Sequence, residues 1–157
     1  MQYRIRASAL IVNDSKVLLV KHVHPIAGYE WWVPPGGGVE PRDSSIFDCA
    51  QRETFEETGL NVKLSRIAYV REFVDGETNT HNLELYLLGE STSGELTLDN
   101  IHGNGPDQDF IKDVRWLTQE ELLQIVVFPE ILRDTFWYDF SRGFPEVRYL
   151  GVQRAGQ

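Results

Sequence analysis

Residues 34–38 read PPGGG, and no other stretch constrains the fold as much. Two prolines fix φ and remove backbone donors, and three glycines supply no side chain to pack. On sequence grounds no regular element crosses this run, so the chain divides there. Before it, IRASALIV (5–12) is predicted as a strand, NDSK (13–16) as a turn and VLLVKH (17–22) as the returning strand of a hairpin. VHPIAGYE (23–30) reads as a loop, and WWV (31–33) as a short strand leading into the glycines.

Beyond the glycines, VEPRD (39–43) continues the connection. Ser44 or Ser45 can cap a helix whose apolar positions are Ile46, Phe47, Ala50 and Phe55, with Gly59 placed just past its C-terminus. Residues 61–74 and 81–90 read as strands joined by the turn DGETNT (75–80); residues 91–110 form a polar loop, and 111–117 a further strand. Thr118 with Glu121 fits a capping box opening a helix to Val127, and Pro129 begins another over 129–140. The tail 141–157 carries no assignment. Strands outnumber helices and the opening hairpin breaks a simple β–α alternation. The expected class is α+β, a mixed β-sheet sandwiched between α-helices. The 157 residues suit one domain spanning 1–157.

The end of the first helix poses a physical problem. In RETFEETG (52–59), Glu53, Glu56 and Glu57 lie three and four residues apart and share a helix face. Like charges at that spacing repel by roughly 0.2–0.5 kcal/mol per pair. Each anion near a helix C-terminus costs roughly 0.3–1 kcal/mol more. Arg52 relieves part of this through Glu56 but cannot neutralise three carboxylates. A divalent cation can: Mg²⁺ and Mn²⁺ take oxygen ligands and share their shell with phosphates. Gly36, Gly37 and Gly38, just upstream, let backbone approach such a ligand closely.

The net charge of −9 argues against a nonspecific nucleic-acid or membrane surface, although a bound cation still allows a phosphorylated small molecule. Cys49 is the only cysteine, which excludes an internal disulfide and fits a reducing, cytoplasmic setting. The N-terminal apolar run is too short for a signal peptide, and no stretch reaches membrane-spanning length.

GGGVEPRDSSIFDCAQRETFEETGL resembles a Nudix box, whose usual form is G-x5-E-x7-R-E-U-x-E-E-x-G-U with U apolar. Arg52 to Leu60 matches every fixed position, with Thr54 at a usually apolar site. The preceding WVPPGGGVEP resembles the family's lead-in, with Trp32 three residues before Pro35. One position departs: counted from Gly37, the first glutamate falls on Asp43, and eight residues rather than seven then precede Arg52. Asp43 is expected to fix the loop through Arg52.

The resemblance implies a metal-dependent hydrolase that opens a diphosphate bond in a nucleoside diphosphate linked to another moiety. It implies Mg²⁺ (or Mn²⁺) held by Glu53, Glu56, Glu57 and the Gly36 carbonyl. Arg52 would orient the glutamates, and Trp32, Tyr29, Gly37 and Gly38 would meet substrate. The general base stays open among Glu53, Glu56 and the later carboxylates Glu84, Glu95, Asp107 and Asp109, with Asp107 or Asp109 preferred. A non-catalytic ligand-binding module of the same fold is the alternative. An isoprenyl diphosphate isomerase is a third reading, which mid-helix Cys49 serves poorly. Nucleoside triphosphates and nucleotide sugars both remain as substrates, and homodimerisation is left open. Tyr29, Trp31, Phe73 and Tyr86 are candidates for stacking but read first as core, and Lys21 and Arg4 first as a solvated strand face.

Overall fold

The computed structural model describes residues 1–101 and 109–155. The chain is α+β, with two β-sheets and helices on both faces of the larger one. That sheet runs in the order β5 (Gly36–Gly38), β1 (Gln2–Leu10), β7 (Thr80–Ser93), β6 (Asn61–Asp75), β9 (Arg148–Arg154). It is mixed: β1 lies parallel to β7 and β6 parallel to β9, whereas β5–β1 and β6–β7 are antiparallel. The second sheet centres on β3 (Lys16–Val23), with β8 (Ile111–Thr118) on one edge and β2 (Val12–Asn13) and β4 (Glu30–Val33) on the other.

Several sequence expectations change here. PPGGG does contain regular structure, since its three glycines form edge strand β5. Ala7 stands opposite Gly37, and Arg6 and Ser8 oppose Gly38 and Gly36. Steric crowding explains the composition. A Cβ on Gly36 would fall 2.1 Å from Ser8 Oγ, on Gly37 2.5 Å from Glu53 Oε1, and on Gly38 2.4 Å from the Arg4 guanidinium. The strand is therefore covered alternately from its two sides, and glycine is what the space admits.

The expected opening hairpin shrinks to Val12–Asn13 paired with Lys16–Val17, because β1 leaves for the larger sheet. The helix expected over 118–127 closes after α2 (Gln119–Leu122), although its capping box forms. The chain then returns to β4, where Trp32 donates to the Val126 carbonyl and Phe128 to that of Trp32. The 129–140 helix is split at Asp134 into a 3-10 turn, Glu130–Arg133, and α3 (Thr135–Ser141). The unassigned tail supplies β9.

Helix α1 (Ile46–Thr58) forms as its signals indicate. Ser45 Oγ accepts from the Asp48 amide, and Gly59 closes the helix in the left-handed region at φ 81° with its N–H on the Phe55 carbonyl. Cys49 and Ala50 pack on Ala7 and Leu87 from one face of the larger sheet. On the opposite face Leu10, Tyr69 and Tyr86 meet Leu19 and Trp32 of the second sheet, together with Leu122, Leu132 and Phe136. Among the described residues no helix is long and apolar enough to cross a membrane.

Candidate active site

Helix α1 carries its carboxylates alongside the bare edge strand. The Glu53 carboxylate lies against Gly37, and the Gly36 amide reaches Glu57 Oε1 at 3.4 Å. Glu57 is buried, whereas the side chains of Glu53 and Glu56 keep 14% and 12% of their surface. Thr54, the unusual position, is fully buried with its hydroxyl donating to the Ala50 carbonyl at 2.7 Å. With its polar atom satisfied inside the helix, it packs as an apolar residue would.

Arg52 organises the cluster. Its Nε and Nη2 donate to Asp43 Oδ1 and Oδ2, both at 2.8 Å. Nη1 reaches Glu53 at 3.0 Å and Glu56 at 3.3 Å, and Nη2 also meets the Gly38 carbonyl at 3.3 Å. The guanidinium beside Asp43 holds that carboxyl down to about 2. In return the Asp43 hydrogen bond raises Arg52 above its usual range. Asp43 further accepts from the Glu40 amide at 2.8 Å, which pins the loop between β5 and α1. The departure in spacing is thus accommodated: Asp43 meets Arg52 from the loop, three residues before α1 begins.

Arg42 is a participant that sequence reading passed over. It donates to Glu40 at 2.7 Å and to Glu56 at 3.3 Å. Its position within the variable part of the box offered no spacing signal. Glu40, Asp43, Glu53 and Glu56 thus gather around two guanidiniums, and Glu57 lies on the Gly36 amide beside them. Burial pushes the thiol of Cys49 up to about 12. That makes it a packing residue, not a nucleophile.

A family model for the NUDIX domain matches residues 2–136. The chain belongs to the Nudix family. The m7GpppN-mRNA hydrolase NUDT17 of Bos taurus is 32% identical over 97 residues, which cover 55% of this chain and 32% of that protein. Its counterpart in Danio rerio is 30% identical over 96 residues, covering 54% and 32%. The matches thus span about a third of the length of these curated relatives. Among solved structures, the MutT protein from Methanosarcina mazei Go1 aligns with TM-score 0.65 and 26% identity, over 92% of this chain and 97% of that one. The MutT NUDIX hydrolase from Burkholderia pseudomallei gives 0.65 and 26% over 82% and 92%. A Nitrosomonas europaea NUDIX hydrolase shares the fold at TM-score 0.71 and 21% identity, over 94% and 93%.

The remaining candidates divide. Gly36, Gly37, Gly38, Arg52, Glu53, Glu56 and Glu57 come together at the Nudix box. Trp32 lies 7% exposed in the core with the Lys21 ammonium 6.0 Å from its ring centre. Tyr29 is exposed and stacks on His24 at 4.9 Å. Its ring also lies 5.4 Å from that of Trp31. Asp107 lies outside the described residues, and Asp109 is exposed at their resumption. Glu84 bonds Arg71 and the Tyr86 hydroxyl, each at 2.9 Å. Glu95 places its backbone carbonyl against Gly59.

Proposed function

We propose that this chain hydrolyses a phosphoanhydride bond in a nucleoside diphosphate linked to another moiety, such as a nucleoside triphosphate or a nucleotide sugar. The observation that carries this reading is the charge imbalance at the box: four carboxylates around two guanidiniums, with Glu57 beside them, bonded to a strand made of three glycines. The names of the NUDT17 relatives describe the same bond class, a nucleoside joined through phosphates to a further group.

Among the described residues no group of three or more His, Cys, Asp or Glu is drawn together as a ready-made cation cage. Arg52 Nη1 bridges Glu53 and Glu56, Arg42 also bonds Glu56, and the Gly36 amide bonds Glu57. The donor set nevertheless suits a hard cation: carboxylate oxygens plus glycine carbonyls, with Glu53 pressed into the space that a Cβ on Gly37 would fill. Glu53, Glu56, Glu57 and the Gly36 carbonyl are the proposed ligands of Mg²⁺ or Mn²⁺. Such an ion supplies charge screening on the diphosphate and a more acidic water.

The chain's own residues do the rest. The glycines of β5 bring the Glu53 carboxylate and the Arg4 guanidinium close against the strand, and the diphosphate would lie beside these side chains. Arg52 fixes the direction of Glu53 and Glu56, and Asp43 fixes Arg52. Water attacks phosphorus in line with the departing phosphate oxygen. Its proton passes to Glu53 or Glu56, the two box carboxylates that keep solvent access. We also read residues 1–157 as one domain, supported by β9, which lies beyond the matched segment yet pairs with β6. A lone, buried Cys49 suits a cytoplasmic setting.

The test is a screen of nucleoside triphosphates, nucleotide sugars and dinucleoside polyphosphates with Mg²⁺ and Mn²⁺, comparing wild type with Glu56→Gln. Cation-dependent release of a nucleotide, lost in the variant, supports the hydrolase. Ligand binding without turnover in wild type points instead to a binding module.

A further inference from the structure

A second charged group lies on the other face of the larger sheet and has no part in the Nudix box. Gly38, Arg6, Glu84 and Arg71 stand side by side across β5, β1, β7 and β6, each paired in register with the next. Neighbouring strands lie about 4.8 Å apart, which puts Glu84 about 10 Å from the box glycine. The row shares its face with Tyr86 and Tyr69, whose rings pack against the second sheet. It therefore occupies the continuation of the inter-sheet core toward the glycine edge.

Arg71 is anchored on every side. Its guanidinium sits 5.5 Å from the ring centre of Phe73 and 5.7 Å from that of Phe128, donates to Glu84 Oε2 at 2.9 Å, and bonds Gln153 from β9. The Tyr86 hydroxyl donates to the same Oε2 at 2.9 Å. These two donors fix the Glu84 carboxylate and turn Oε1 toward Arg6. The Arg6 Nε lies 4.0 Å from that oxygen, too far for a hydrogen bond. The Arg6 and Glu84 side chains stay 25% and 14% exposed. An orientated acceptor and a guanidinium donor thus sit next to each other as an ion pair with no hydrogen bond between Arg6 Nε and Glu84 Oε1. They are flanked by half-buried aromatic rings, two strands from the bare edge strand.

That pattern is the complement of a ring edge with an N–H donor beside an acceptor. We propose that Glu84 and Arg6, orientated by Arg71, recognise the nucleobase of the substrate. In this arrangement Glu84 Oε1 accepts from a base N–H and Arg6 donates to the adjacent ring nitrogen or carbonyl. The proposal rests on the hydrolase reading and deepens it by assigning base recognition to the face opposite α1. On this face the Arg4 guanidinium lies over Gly38 and Ser8 Oγ over Gly36, so Arg4 and Ser8 are the side chains between the row and the box.

The test distinguishes base recognition from a site where the two arginines bind phosphate. The purified full chain is titrated with ADP, GDP, CDP, UDP and inorganic pyrophosphate, as wild type, Glu84→Gln and Arg6→Gln, with thermal melting to verify the fold. Losing one charge-assisted hydrogen bond weakens binding about 10-fold or more. Glu84→Gln should therefore weaken the tightest nucleoside diphosphate by that factor and leave pyrophosphate unchanged. Arg6→Gln, which keeps the Arg71–Glu84 pair, should weaken the same ligand about 5-fold, and it carries the test alone if Glu84→Gln does not fold.

Tighter nucleotide binding by Glu84→Gln overturns the proposal, because removing a negative charge beside two arginines favours phosphate. Equal losses for nucleotides and pyrophosphate overturn it too, as does a wild type that prefers no nucleoside diphosphate over pyrophosphate. The hydrolase reading fails separately, through turnover that ignores Glu56→Gln.

Discussion

Two carboxylate–guanidinium pairs, each with a buried carboxylate, lie at different places in this molecule and have almost the same geometry. Asp43 meets Arg52 through two bonds of 2.8 Å, and Asp139 of α3 meets Arg148 of β9 through two bonds of 2.8 Å. The side chains of Asp43 and Asp139 are 3% and 4% exposed. At Asp139 the charges balance: Arg148 and the Tyr69 hydroxyl, which donates at 2.7 Å, satisfy it. Burial, and then Asp139, raise the Tyr69 phenol above its usual range, so it stays a neutral donor. At Asp43 the same pair is embedded in an excess of Glu40, Glu53, Glu56 and Glu57. A balanced pair ties the tail strand to α3 and asks for nothing more. An unbalanced one places more carboxylates than guanidiniums side by side, which is the feature the proposed cation site rests on.

The sharpest way to break this contrast is to remove one carboxylate from each region. Glu53→Gln and Glu56→Gln should each reduce turnover by about 100-fold or more while leaving thermal stability near wild type, checked by steady-state assay and melting. Asp139→Asn should do the reverse: destabilise by about 2–4 kcal/mol in denaturant unfolding, with turnover per folded molecule unchanged. That range sits toward the lower side because the Arg148 side chain keeps 34% of its surface. Similar effects on turnover from both regions would erase the distinction.

A second contrast sets two glycines against each other. Gly37→Ala places a Cβ 2.5 Å from Glu53 Oε1 and should lower turnover by about 10-fold or more in a folded protein. At Gly143 a Cβ meets nothing within 4 Å, but φ is +72°. Gly143→Ala should cost about 1 kcal/mol of stability and no activity.

The smallest effect expected is on acid stability. Asp43 is held down to about 2 by Arg52, from an ordinary 3.8, so its folded form binds its proton less readily than the unfolded chain. Its contribution, about 2 kcal/mol, is present above pH 4 and lost as pH falls through about 2. Asp139 is lowered as well, chiefly by Arg148. Unfolding between about pH 4 and 2 should therefore flatten in Asp43→Asn, with the Asp139 component remaining.

How much of this was legible beforehand follows physical range. Helix α1, its Ser45 cap and its Gly59 stop are local features, and each formed where the sequence placed it. The Asp43–Arg52 contact spans nine residues, with a family resemblance to suggest it. Strand β5 was missed because glycine has poor strand propensity. Pairing with β1 and cover by Ser8, Arg4 and Glu53 hold the strand, and composition shows none of these. Strand β9 was missed because it is short, interrupted by Gly151 at φ +88°, and paired with a strand some eighty residues away. The row through Arg6, Glu84 and Arg71 was invisible for the same reason: register between distant strands creates it. The helix over 118–127 failed where tertiary contacts overrode a valid start signal, since Val126 and Phe128 bond Trp32 instead.

Calorimetric titration of Mn²⁺ into the wild-type chain and into Glu53→Gln and Glu56→Gln, each with and without a nucleoside diphosphate, tests the central claim most directly. The expected result is cation uptake by wild type that strengthens with the nucleotide and drops by at least an order of magnitude in both variants. Equal uptake by all three proteins, or none by wild type even with nucleotide present, would contradict the assignment of the excess carboxylates to a cation.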